Sequence, residues 1–224
     1  MGIDYNTIIT TDGLVGYWDA ANPRSYSGSG NTWYDLTPNG NNLTLTNSPT
    51  FNSSGYFTTG TTGYFTGAGT SSIPSGSNSY TMSCFAQLPT WADARGIMSI
   101  GGYGSNNESN AIRTGGVNPG YFYNYWWYND LYITNNNGNT ASSRWFYVTA
   151  SYDGTTRKFY VNSILVGSDT PSAPNVSSTT IQLAKTWSTE YLYGLISSAK
   201  IYNRALTATE ILQNYNATKR RYGL

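Results

Sequence analysis

The sequence predicts an all-β fold of two packed antiparallel sheets with one short C-terminal helix, and three observations predict it. The first is the stretch 144–168, RWFYVTASYDGTTRKFYVNSILVGS, which reads as two strands joined by a turn at Asp153-Gly154. The second is a succession of about a dozen short apolar or alternating runs separated by Gly, Pro, Asn and Ser, the signature of a sandwich. The third is a single capping box, Thr207-Ala208-Thr209-Glu210, late in the chain.

Each element follows from local chemistry. Residues 13–19, GLVGYWD, form a short apolar run bounded by glycine, and a loop dense in Asn, Pro, Gly and Ser follows, anchored by Trp33, Tyr34 and Leu36. Residues 43–46 give the next strand, and the near repeat GYFTTG, GYFTGAG places two like strands at Tyr56-Phe57 and Tyr64-Phe65. Residues 80–87 alternate and are ended by Pro89; residues 97–100 follow. After a second Asn/Gly loop come 120–128 and 131–134, the most aromatic part of the chain and rich in β propensity.

In the 144–168 stretch, Phe146, Val148, Ala150 and Tyr152 share one face while Trp145, Tyr147, Thr149 and Ser151 share the other; one face must therefore be buried against another layer. Residues 181–184 and 195–202 supply two more strands. Thr207 then caps a helix to about Asn216 with Ile211, Leu212 and Tyr215 as its buried edge.

The 224 residues are read as one domain, with 1–12 as an N-terminal arm and 218–224 as a basic tail. Only 10% of residues are charged, against roughly 25% in ordinary globular proteins, and the net charge is +1. That balance predicts no nucleic-acid partner and no membrane partner. Histidine is absent and Cys84 is the single cysteine, which excludes an internal disulfide, a zinc finger and a His-based dyad. No secretory leader or apolar span is read, so the expected site of synthesis is a cytoplasm.

The order Trp145, Val148, Ala150, Tyr152-Asp153-Gly154, Tyr160-Val161-Asn162, Gly194-Leu195-Ile196, Ile201-Tyr202-Asn203-Arg204-Ala205-Leu206 and Glu210-Ile211 resembles the concanavalin A-like lectin/glucanase superfamily, in its laminin-G-like branch. The N-terminal wording, residues 13–20 with Pro23, Trp33 and Asp35-Leu36, and the closing residues 214–217 and 222–224 are similar to versions of this domain in tailed-bacteriophage structural proteins. The resemblance implies a jelly-roll sandwich whose concave sheet often holds sugars and which sometimes binds calcium. The chain departs from it at Ser163, where glycine is usual, and at Ser197-Ser198, where an acidic pair often stands.

Glucanase members cut glycosidic bonds with paired carboxylates about 5 Å apart. The eleven acidic residues here never come closer than the seven positions from Asp12 to Asp19, so no strand offers such a pair, and the expectation is a non-enzyme. Recognition points instead to residues 121–128. Tyr121, Tyr123, Tyr125 and Trp127 alternate with Phe122, Trp126 and Tyr128. If one set fills the core, the other exposes on the order of 600 to 1,000 Å², which own loops, a neighbouring subunit or the apolar face of a sugar could cover. Tyr121, Tyr123, Tyr125, Trp126, Trp127 and Tyr128 are thus the ligand or interface candidates.

No cofactor is expected, with calcium kept open: Asp19, Asp35, Asn39 and Asn42 are loop oxygens that a calcium ion could use, or that make side-chain turns. The expected function is a non-catalytic phage virion protein, capsid-decorating or tail-associated, assembling with other virion proteins and with copies of itself. The alternative is a lectin-like carbohydrate-binding module for a cell-surface glycan.

Overall fold

The computed structural model describes residues 8–90, 92, 94–115, 121–134 and 143–224. Its strands, in chain order, are β1 (Leu14–Asp19), β2 (Thr32–Trp33), β3 (Leu43–Thr46), β4 (Thr50–Asn52), β5 (Tyr56–Thr58), β6 (Tyr64–Ala68), β7 (Tyr80–Leu88) and β8 (Gly96–Gly101). Then come β9 (Ser109–Thr114), β10 (Phe122–Tyr125), β11 (Leu131–Tyr132), β12 (Arg144–Tyr152), β13 (Arg157–Val161), β14 (Ile164–Asp169), β15 (Thr180–Leu183) and β16 (Leu195–Tyr202). Helix α1 (Ala208–Thr218) and a 3-10 turn (Lys219–Tyr222) close the chain.

Two eight-stranded antiparallel sheets result. The first runs β14-β13-β12-β7-β16-β5-β4 with β1 also on β16; the second runs β11-β10-β9-β8-β15-β6-β3-β2. Their inner faces meet in a continuous core. Phe57 of the first sheet lies 4.8 Å from Phe65 of the second, and Phe122 of the second lies 5.6 Å from Phe146 of the first, ring centre to ring centre. This is the two-sheet jelly-roll sandwich with a single short helix that the sequence predicts.

The 144–168 stretch folds into three strands rather than two. Asn162 and Ser163 both adopt left-handed backbone, at φ 49° and 67°, the geometry of a tight two-residue hairpin turn. They end β13 and start β14. The Asn162 Oδ1 atom also accepts from the Tyr147 amide at 2.9 Å, which fixes the turn against β12. The usual glycine is therefore replaced without loss of the turn.

The aromatic segment 120–128 forms a shorter strand than predicted. Its strand ends at Tyr125, because Trp127 and Tyr128 sit at φ 60° and 65° and the Asp130 carboxylate accepts from the Trp126 amide at 2.9 Å. Gly120, the predicted first residue, lies outside the described residues, as do 1–7 of the predicted arm. Strand β9, inside the predicted Asn/Gly loop, was not legible.

Outside the first sheet, α1 and the turn after it cover Phe85, Tyr147, Tyr160 and Tyr202. The capping box forms: the Glu210 amide donates to Thr207 Oγ1 and the Thr207 amide to Glu210 Oε2. Ile211 is buried, but Leu212 is exposed, correcting the predicted edge; Asn214 and Thr218 are buried instead. Asn214 is suited to that place because it accepts from the Thr10 amide at 2.8 Å and donates to Tyr202 Oη at 3.0 Å. The basic tail also packs, with Tyr222 stacked on Phe85 at 4.1 Å.

Candidate functional site

Alternation along β10 decides which aromatics are available. Phe122, Asn124 and Trp126 turn inward. Trp126 is fully buried: its Nε1 donates to Tyr80 Oη at 3.1 Å, Tyr152 meets it edge-on at 5.2 Å, and the Arg157 guanidinium lies 4.2 Å above its ring. Trp126 is therefore a core residue and not a ligand contact, a correction to the candidate set. Tyr123 and Tyr125 turn outward, and Tyr121 and Trp127 are half-buried. Tyr128 is 80% exposed rather than sharing the inner face with Trp126, because the turn at Trp127 breaks the two-residue period.

Strand register then builds a surface on the outer face of the second sheet. Tyr123 pairs with Tyr132 on one side and Arg113 on the other; Tyr125 pairs with Ala111, which adjoins Ser99. The Arg113 guanidinium stacks 4.1 Å from the Tyr125 ring centre and 5.8 Å from that of Tyr123. It also pairs with Glu190, whose other oxygen accepts from Thr186 Oγ1 at 2.6 Å.

Glu190 belongs to a hairpin, residues 184–193, that extends from the end of β15. It is closed by Leu192 N to Ala184 O at 2.9 Å and Thr186 N to Glu190 O at 3.0 Å. At its tip Trp187 meets Trp127 edge-on at 4.7 Å, and Trp127 in turn touches Tyr103, Tyr125 and Tyr128. The chain's own Tyr103 and hairpin thus cover part of the aromatic face, leaving Tyr128, Tyr132 and Trp187 as its exposed rings.

Burial shapes the electrostatics. It pushes the Tyr125 hydroxyl up to about 12, with Arg113 opposing, and raises the Asp130 carboxyl, with the Trp126 amide opposing. The Tyr125 hydroxyl is therefore kept as a neutral donor and the Asp130 carboxyl is anchored by a backbone amide, beside a set of flat apolar rings. Such a surface can stack sugar C–H groups and bond their hydroxyls.

The carboxylates are already engaged. Glu190 is held by Arg113 and Thr186, and Asp130 by the Trp126 amide with Tyr132 Oη at 3.5 Å. Asp35, Asn39 and Asn42 share one turn network, in which Thr37 Oγ1 donates to Asp35 Oδ2 and Asn39 Nδ2 to Thr37 Oγ1. Asp35 accepts from the Tyr17, Thr37 and Asn41 amides, Asp19 faces Arg221, Asn39 donates to Val15 O, and Asn42 Oδ1 accepts from the Asp35 amide. Hydrogen-bond donors surround the Asp35 and Asn42 oxygens and an arginine holds those of Asp19, the reverse of what a cation needs. Among the described residues no group of three or more acidic, Cys or His side chains is placed to hold a metal.

Sequence reasoning did not reach Tyr103, Arg113, Trp187 and Glu190. The available signal was the run KTWSTEYLYG, residues 185–194, whose aromatics stand just after a predicted strand.

A family profile described as concanavalin A-like lectin/glucanases superfamily matches residues 58–212. No curated protein matches the chain. Among solved structures, domain 4 of AbnA, a GH43 extracellular arabinanase from Geobacillus stearothermophilus, in complex with arabinotriose, is similar at TM-score 0.59 and 16% identity, over 90% of this chain and 98% of that one. The botulinum neurotoxin serotype D binding domain is similar at TM-score 0.64 and 12% identity, over 91% of this chain and 51% of that one. The binding domain of botulinum neurotoxin DC in complex with SialylT gives 0.59 and 16%, over 92% and 52%. The chain thus spans about half the length of the toxin binding domains it matches.

Proposed function

Since the chain belongs to the concanavalin A-like lectin/glucanase superfamily, we propose that it is a non-catalytic carbohydrate-binding module that recognises a cell-surface glycan through the outer face of its second sheet. The observation that carries this reading is the aromatic platform of Tyr125, Trp127 and Trp187, assembled from two separate segments and locked by Arg113 and Glu190. Rings held this firmly lose little entropy when a sugar stacks on them. Structural neighbours in complex with arabinotriose and with SialylT support the ligand class.

A glycan array followed by calorimetry tests it. Binding by the wild-type chain and its loss in Trp187→Ala are expected; no binding to any glycan would sink the reading. Mass spectrometry of the bound glycans after incubation tests the non-catalytic part, for which the expected result is intact chains.

We place the module on a phage particle, where the resemblance of residues 13–36 and 214–224 pointed. This placement, with its virion partners and self-association, rests on that resemblance alone. Proteomics of purified particles tests it, and absence from particles would remove the setting without touching the binding face.

A further inference from the structure

Where the 184–193 hairpin leaves the second sheet, two cations stand on tyrosine rings. Lys185 and Tyr191 face each other as an antiparallel bridge. The Lys185 ammonium lies 4.4 Å from the Tyr64 ring centre and 5.2 Å from that of Tyr191. Tyr191 is 6.4 Å from Tyr193, and the Arg95 guanidinium lies 3.9 Å above Tyr193. The result is a short row of Lys185, Tyr191, Tyr193 and Arg95, all half-buried, contiguous with the platform through Glu190.

These cations differ from the other stacked arginines. Arg113, Arg157 and Arg221 each lie against an aromatic ring and also hold a carboxylate: Glu190, Asp169 and Asp19. Among the described residues neither Lys185 nor Arg95 has an ion-pair partner, and Arg95 Nε is buried without a hydrogen bond. Cation–π contact accounts for their orientation but leaves their charge uncompensated. A half-buried cation lacking its counter-charge attracts an anion strongly, because surrounding protein reduces solvent screening. Beside Tyr193 lies a cleft of about 220 Å³, lined by Tyr193 itself together with Gln87, Pro89 and Leu195.

We propose that Lys185 and Arg95, at the two ends of this row, bound a subsite for an acidic oligosaccharide, each pairing with a carboxylate or sulfate of its own while a sugar ring stacks on Tyr191 or Tyr193. The inference rests on the carbohydrate-binding reading and narrows its ligand class.

Calorimetry with three oligosaccharides of equal length tests it: a polyuronate, its carboxyl-reduced neutral form, and a sulfated form of that neutral chain. Wild-type protein is expected to bind one or both acidic forms at least about tenfold more tightly than the neutral one, with the preference shrinking as salt rises from low to high. Lys185→Met and Arg95→Met are expected to lower the acidic preference about tenfold and leave neutral binding unchanged, with Lys185→Arg restoring it. Melting temperatures check the fold of each variant, and the wild-type ratio and its salt dependence stand even if one variant fails to fold. Equal binding of acidic and neutral forms would overturn the subsite and leave the module reading intact. Binding of none of the three here, together with a blank glycan array, would overturn both.

Discussion

Arg113 of β9 reaches Glu190 of the 184–193 hairpin across the outer face of the second sheet, with both side chains largely buried at 15% and 11% exposure. The pair adds a charged tie between the hairpin and a rigid strand of the same sheet, beside the contact of Trp187 with Trp127. Breaking one member of such a pair leaves the other charge poorly solvated.

Glu190→Gln is accordingly expected to destabilise the fold by about 2 to 4 kcal/mol in urea melts, while the double variant Glu190→Gln/Arg113→Met recovers part of that loss. Additive losses in the two single variants would mean the residues do not act as a pair.

Trp126 and Trp187 are expected to behave oppositely. Trp126 is fully buried, so Trp126→Ala should cost about 3 to 5 kcal/mol of stability. Trp187 is 43% exposed, so Trp187→Ala should change stability by less than about 1 kcal/mol yet remove glycan binding. Urea denaturation and calorimetry on both variants measure the split. If Trp187→Ala binds as wild type, the platform is not the site.

The contrast between those tryptophans also marks what the sequence could reveal. Period-two spacing in β12 and the capping box at Thr207 are local signals, and both formed as read. The aromatic run was legible as a strand with two faces, but not its end, because the turn depends on Asp130 folding back onto the Trp126 amide. Arg113 and Glu190 stand 77 positions apart and meet only through the order of strands in the second sheet, which no local pattern encodes. The partner of Asp19 was hidden for a related reason: Asp19 reads as a loop oxygen until the distant Arg221 is brought against it.

Lys200 gives a pH prediction. It is buried on β16 with its ammonium 4.8 Å from the Tyr17 ring centre, and burial drives that ammonium down to about 8, with Asp19 opposing. The folded protein therefore binds its proton less tightly than the unfolded chain does. Above about pH 8 the unfolded state holds more protons, so stability rises with pH at up to about 1.4 kcal/mol per pH unit. The window closes near pH 9, where the buried Cys84 thiol, held well above its ordinary range by burial, begins to favour the unfolded chain, followed by buried tyrosines such as Tyr125. Between pH 7 and 9 the melting temperature of the wild type should rise relative to that of Lys200→Met, which should be the more stable protein at pH 7 and should lose stability above about pH 9 as Cys84 ionises in its unfolded chain.

The last prediction concerns Asp19 and metal. Its side chain is 4% exposed and receives Arg221 through both guanidinium nitrogens, Nη1 at 2.6 Å and Nη2 at 3.0 Å, with Tyr17 Oη at 3.1 Å. Arg221 thus supplies the positive charge that a calcium ion would supply elsewhere. Millimolar calcium or EDTA should leave the melting temperature unchanged. Arg221→Met should lower stability by about 3 kcal/mol, since Asp19 then remains buried without the guanidinium that pairs with it. Calcium that stabilises the wild-type chain would show the loop oxygens can rearrange around a cation; calcium that rescues only Arg221→Met would show that the arginine occupies a cation's place.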